Sequence, residues 1–189
     1  MRLLSVILFA FSTQFSFSQE DQKLPYYEVP EYAKEFTAGT MAARMLDALG
    51  FRFYWASEGL AEKDLAYKAN DDGRTSQETI KHIYDLSKII VNSTLKKPNS
   101  RDEKEELTYE VMRSSTLNNL KTAADILRES NDISQFKIIF GEQEIPFWNQ
   151  INGPIADAIW HCGQLVIYRR TTENPMNPKV NHFTGKVRD

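Results

Sequence analysis

Apolar positions recur at helical spacing in four long stretches of this chain, separated by polar connectors bearing Pro or Gly. From about Tyr32 to Glu58, Phe36, Met41, Ala42, Met45, Leu49 and Phe53 repeat at intervals of three to five. The run Phe51-Arg-Phe-Tyr-Trp55 places aromatics on nearly all sides of that helix, the mark of a buried segment. Asn70-Asp-Asp-Gly73 predicts a loop, and Thr75-Ser-Gln-Glu78 after it a capping box. The helix it opens should run to about Leu95, with Ile80, Ile83, Tyr84, Ile90 and Val91 as its core stripe. Lys96-Lys97-Pro98 ends it, because cations suit a helix C-terminus and proline cannot continue the ladder. A third helix is expected from near Asp102, where Glu103, Glu105 and Glu106 favour its positive end. Leu107, Val111, Leu117, Leu120, Ala124 and Leu127 mark its inward face.

Residues 131–144 read as a connector. Within it Phe136-Lys-Ile-Ile-Phe140 has strand character but no visible partner. The last helix spans the block around Ile155-Ala-Asp-Ala-Ile-Trp-His161. Either Pro154 starts it, or Pro154 kinks a longer helix begun near Pro146. Beyond Asn174-Pro-Met-Asn-Pro178 an extended tail is expected to pack back along the surface. The expected fold class is all-α, an up-down four-helix bundle with an extended C-terminal tail.

The N-terminus adds a location. Arg2, the apolar stretch Leu3 to Phe11 and the small residues of Ser16-Phe-Ser18 read as a secretory signal over residues 1–18. A lead-in over 19–31 and one bundle domain over 32–189 would follow. The chain is then exported, periplasmic or secreted, with no transmembrane segment left after cleavage; the apolar stretch is too short to span a bilayer comfortably. Cys162 is the single cysteine, so no internal disulfide can form. The net charge of −3 gives no electrostatic reason to expect nucleic acid, whose binding leans on clustered Lys and Arg.

The candidate chemistry lies in the last helix. Asp157 and His161 are four residues apart, on one face and about 6 Å apart along the axis. A divalent cation can bridge such a pair. Of the other histidines, His82 lies in the second helix and His182 in the tail. His82, Asp157 and His161 would make a two-His, one-carboxylate set with coordination positions open to water or substrate. By spacing alone, an Asp–His helix pair and a hydrogen-bonded core histidine account for the same residues. Gln164, one turn after His161, is either an orienting partner of the site or an interhelical hydrogen-bonding residue. Glu78 is a capping residue that could also support His82. Gly163 is expected to let a neighbouring helix approach. Cys162 reads as a small buried side chain, His182 as a surface residue, and Trp148, Trp160 and Tyr168 as packing residues.

The chain resembles the DinB/YfiT-like family of metal-binding four-helix bundles. The resemblance rests on Thr75-Ser-Gln-Glu-Thr-Ile-Lys-His82 and on Asn152-Gly-Pro-Ile-Ala-Asp157-Ala-Ile-Trp-His161-Cys-Gly163-Gln164. Arg169-Arg170, Asn174-Pro175 and Phe183-Thr-Gly-Lys186 extend it over nearly all of the mature chain. It implies a divalent metal ion (Zn, Ni, Fe or Mn) held by three ligands, two of them one turn apart on the last helix. Family members usually carry three histidines, and here Asp157 occupies the earlier of the last-helix positions. This harder, anionic ligand would favour Fe(II), Mn(II) or Zn(II). The resemblance also implies thiol S-transferase-like or hydrolase-like chemistry on a small molecule, and a homodimer. The alternatives are a non-catalytic metal-binding or interaction module and a metal-free helical bundle.

Overall fold

The computed structural model describes residues 23–100 and 107–189. The expected signal over 1–18 and the acidic start at Asp102, Glu103, Glu105 and Glu106 lie outside the described residues.

Helix α1 spans Ala38–Ser57 and is opened by a reciprocal cap: Thr40 N donates to Thr37 Oγ1 and Thr37 N to Thr40 Oγ1. That cap is why the helix does not start near Tyr32. Phe36 is left 92% exposed ahead of it, and Met41 points outward, so neither belongs to the core the periodicity suggested. A single turn α2 (Glu62–Leu65) follows. Helix α3 (Ser76–Thr94) opens on the predicted box, with Glu78 N donating to Thr75 Oγ1 and Thr75 N to Glu78 Oε2. Its stripe Ile80, Ile83, Tyr84, Ile90 and Val91 is buried throughout. Helix α4 (Tyr109–Arg128) takes Thr108 as its cap. Leu117, Leu120, Ala124 and Leu127 face inward as expected, while Val111, in its first turn, is exposed.

The segment Ile138–Phe140 (β1) does have a partner. It pairs antiparallel with Gln143–Ile145 (β2), and Gly141 supplies the positive φ of the turn between them. A short turn α5 (Trp148–Gln150) leads through a wide turn at Ile151–Ile155 into α6 (Ala156–Thr171). Gly153 breaks the helical path there at φ −96°, ψ −111°. The helical run thus begins before Pro154 and is kinked just ahead of it. The chain is mostly helical, with β1–β2 and a second ladder, β3 (Val180–Asn181) with β4 (Lys186–Val187), as its only named strands among the described residues.

Each of the four long helices touches two others: α1 packs on α4 and α6, and α3 packs on α4 and α6. Leu46, Leu49 and Phe53 of α1 meet Ile80 and Ile83 of α3, Leu117 and Leu120 of α4, and Cys162 and Leu165 of α6 in one buried cluster. A smaller cluster of Val29, Phe51 and Trp55 is covered by Met176, Val180 and Val187 of the tail. Val29 N donates to Gly185 O at 2.9 Å, so lead-in and tail close together over α1. Arg169 is buried and donates to Trp55 O and Ala56 O at the C-terminal end of α1, satisfying carbonyls that a helix end leaves unpaired. No helix among the described residues is long and apolar enough to cross a membrane.

Candidate metal centre

Helix geometry sets the site. Residues four apart stack one turn above each other, so Asp157 in the first turn of α6 and His161 in the next present one face to α3. His82, on α3, comes from across the groove. Its Nε2 lies 3.0 Å from Asp157 Oδ2, and His161 Nε2 lies 3.4 Å from Asp157 Oδ1. The two imidazoles meet edge to face, with centroids 4.8 Å apart. Each of the three residues offers one donor atom, and all three donors fall within 4.8 Å of one another. For metal–ligand lengths of about 2.0–2.1 Å, tetrahedral geometry separates donors by about 3.3 Å. The two carboxylate–imidazole spacings, one to each oxygen of Asp157, bracket that value, and the three residues form a group that could hold a divalent cation.

The three side chains are 28%, 41% and 15% exposed for His82, Asp157 and His161. The three side chains are therefore partly open to solvent, and a cation held by them could also be reached by small molecules. No fourth His, Cys, Asp or Glu joins the group among the described residues. On the Asp157 side the groove continues into a hollow of about 580 Å³ walled by Leu86, Ile89, Ile138, Phe140, Pro154 and Trp160. The kinked turn at Gly153 and the β1–β2 hairpin form its far side.

Gln164 completes the site by a route the spacing left open. Its Oε1 lies 2.9 Å from His161 Nδ1, and its Nε2 donates to Tyr168 Oη at 2.6 Å. Both partners are on α6, so the side chain does not bridge helices; it orients His161. In the tautomer protonated at Nδ1, that nitrogen donates to Gln164 Oε1 and Nε2 is left to ligate a cation. Tyr168 is itself buried and packed edge-on against Tyr67. The Gln164–Tyr168 link was missed in the sequence, although its i,i+4 spacing could have suggested it.

The remaining candidates fall elsewhere. The Glu78 carboxylate is engaged at the start of α3, where the Thr75 amide and hydroxyl hold it below the usual carboxylate range. Cys162 is buried, and burial pushes its thiol up to about 12, which leaves no thiolate for nucleophilic chemistry near neutral pH. His182 lies in the tail, edge-on to Phe51. A Cβ on Gly163 would meet nothing within 4 Å, so this glycine faces open space and not a close-packed helix. Trp148 and Trp160 are 77% and 79% exposed and are not core residues.

No family model, curated protein or solved structure matches this chain. The functional reading rests on the side chains themselves.

Proposed function

We propose that this chain is an exported, divalent-metal-binding helical bundle of the DinB/YfiT-like kind, with His82, Asp157 and His161 as its ligands and a small molecule as its substrate. The observation that carries the reading is the convergence of those three donors from two helices, with His161 oriented by Gln164. The four long helices with two neighbours each support the bundle architecture. The run Arg2 to Ser18 supports export.

Three protein ligands with open positions are the composition of a catalytic rather than a structural site. A divalent cation bound there would supply Lewis acidity, stabilising a hydroxide or thiolate near neutral pH. The chain's own contributions are distinct from this. Asp157 brings a negative charge that a three-histidine site lacks, Gln164 holds the His161 ring through Nδ1, and the hollow beside Asp157 receives an apolar group. Export favours hydrolysis over thiol transfer, since low-molecular-weight thiol cofactors are chiefly cytosolic.

The decisive experiment is metal analysis of the purified chain and of its His161→Ala variant. Stoichiometric metal in the first and its loss in the second is the expected result. Near-zero metal in both removes the proposal. A metal-loaded chain that hydrolyses no ester or amide in a panel with apolar acyl groups, and conjugates no thiol, leaves the non-catalytic metal module as the reading.

A further inference from the structure

A second cavity lies on the opposite side of α6. At about 100° per residue, Asp157, His161 and Gln164 share one face, while Ile159, Cys162, Val166 and Arg170 lie roughly half a turn away. There α6, Arg52 of α1 and the tail after Pro175 enclose a space of about 600 Å³. That volume is within the usual range of small-molecule sites. Its walls are aliphatic: Ile159 and Val166 from the helix, Met176 and Val180 from the tail. Its polar edge is cationic, with Arg52 and Arg170, and His182 beside them. No Asp or Glu lines it.

The charge is uncompensated by the protein. Arg128, for comparison, is in ion pairs with Asp47 and Asp125. Arg52 and Arg170 are in no ion pair among the described residues; Arg52 donates from one nitrogen to Ala48 O in its own helix, leaving other N–H groups of its fork to spare. Burial and then the Arg52 charge hold the His182 imidazole below its ordinary value, so near neutral pH the positive charge resides on the two guanidinium groups. An apolar chamber with two arginine heads at its edge is complementary to a molecule with an apolar body and one planar anionic group, which guanidinium binds in a fork.

We propose that this cavity is a binding site for a small amphiphilic carboxylate, its alkyl or aryl body against Ile159, Val166, Met176 and Val180 and its carboxylate between Arg52 and Arg170. The site is separate from the metal centre and does not depend on it.

Calorimetric titration of the mature chain with decanoate, decanol and acetate tests this. Decanoate is expected to bind saturably at a single site, at least tenfold more tightly than decanol, which lacks the charge, or acetate, which lacks the body. Arg170→Gln and Arg52→Gln should each weaken decanoate roughly tenfold, the scale of a lost charged hydrogen bond. Arg170 is exposed at the end of α6, so its variant keeps the test valid if Arg52→Gln fails to fold. Chelator treatment and His161→Ala should leave decanoate affinity unchanged. Decanol binding as tightly as decanoate, or affinity indifferent to Arg170→Gln, overturns the proposal. Loss of decanoate binding in His161→Ala also overturns it, since the carboxylate would then be sitting on the metal centre.

Discussion

His82 Nε2 and Asp157 Oδ2 are 3.0 Å apart although 75 residues separate them in the chain. That contact fastens α3 to α6 at the candidate centre, and the other oxygen of the same carboxylate faces His161. Asp157 is thus the residue both imidazoles share. Asp157→Ala should lower metal affinity by more than the roughly 10–100-fold that loss of an outer hydrogen bond costs. Asp157→His, which replaces the oxygen donor by a nitrogen and removes the charge, should keep a three-donor site and bind metal far better than the alanine variant. Competition with a chromophoric chelator measures both. Equal affinity for wild type and Asp157→Ala would exclude the carboxylate as a ligand.

Gln164 acts on the centre only through His161. Gln164→Leu removes the acceptor at Nδ1, frees the ring to rotate and leaves the tautomer unspecified. Metal affinity should fall about 10–100-fold. Gln164→Glu, which keeps an acceptor there, should recover most of the loss. A merely structural role would show the same drop in thermal stability for both variants and no difference between them in chelator competition.

Helical spacing made the shared face of Asp157 and His161 legible, and the cap and stripe of α3 placed His82 in a helix, but spacing alone did not bring His82 to that face. Pattern failed where a local hydrogen bond outranks periodicity. Phe36 fits the apolar repeat of α1, yet the Thr37 cap starts the helix only after it. Trp148 and Trp160 were read as packing residues, but both stand exposed, and large aromatic size alone does not say which way a helix face turns. Arg169 stood out in the sequence only as half of a basic doublet. It is buried because the end of α1, more than a hundred residues earlier, leaves carbonyls for it to bind, and one-dimensional pattern carries no sign of that.

Asp64 makes stability depend on pH in a definite direction. Burial works to raise its pKa, but donors from Thr172, Asn174 and the Ala61 amide outweigh this and hold it below the ordinary aspartate value. A depressed folded-state pKa contributes stability that is complete above the unfolded value of about 3.9 and is lost as pH falls through the folded value. Asp64→Asn removes the charge at every pH. Urea unfolding should therefore show a gap between wild type and variant that is widest near neutral pH and narrows below about pH 4. A gap that stays constant down to pH 2 would contradict the assignment.

Gly39 is a point of close approach between α1 and the end of α4. A Cβ built there would lie 2.3 Å from Leu127 O and 2.5 Å from Ser130 O, and both are backbone atoms that cannot swing aside. Glycine-to-alanine changes inside a helix ordinarily gain up to about 1 kcal/mol from propensity. At Gly39 that gain is opposed by a clash that must push two helices apart, so Gly39→Ala should destabilise the fold by roughly 1–3 kcal/mol, the usual cost of overpacking. Gly163→Ala is the internal control: it is also helical, its added Cβ meets nothing within 4 Å, and it should be neutral or stabilising. Urea midpoints of the two variants should move in opposite directions. If both rise, the gap between α1 and the end of α4 is wider than these contacts allow.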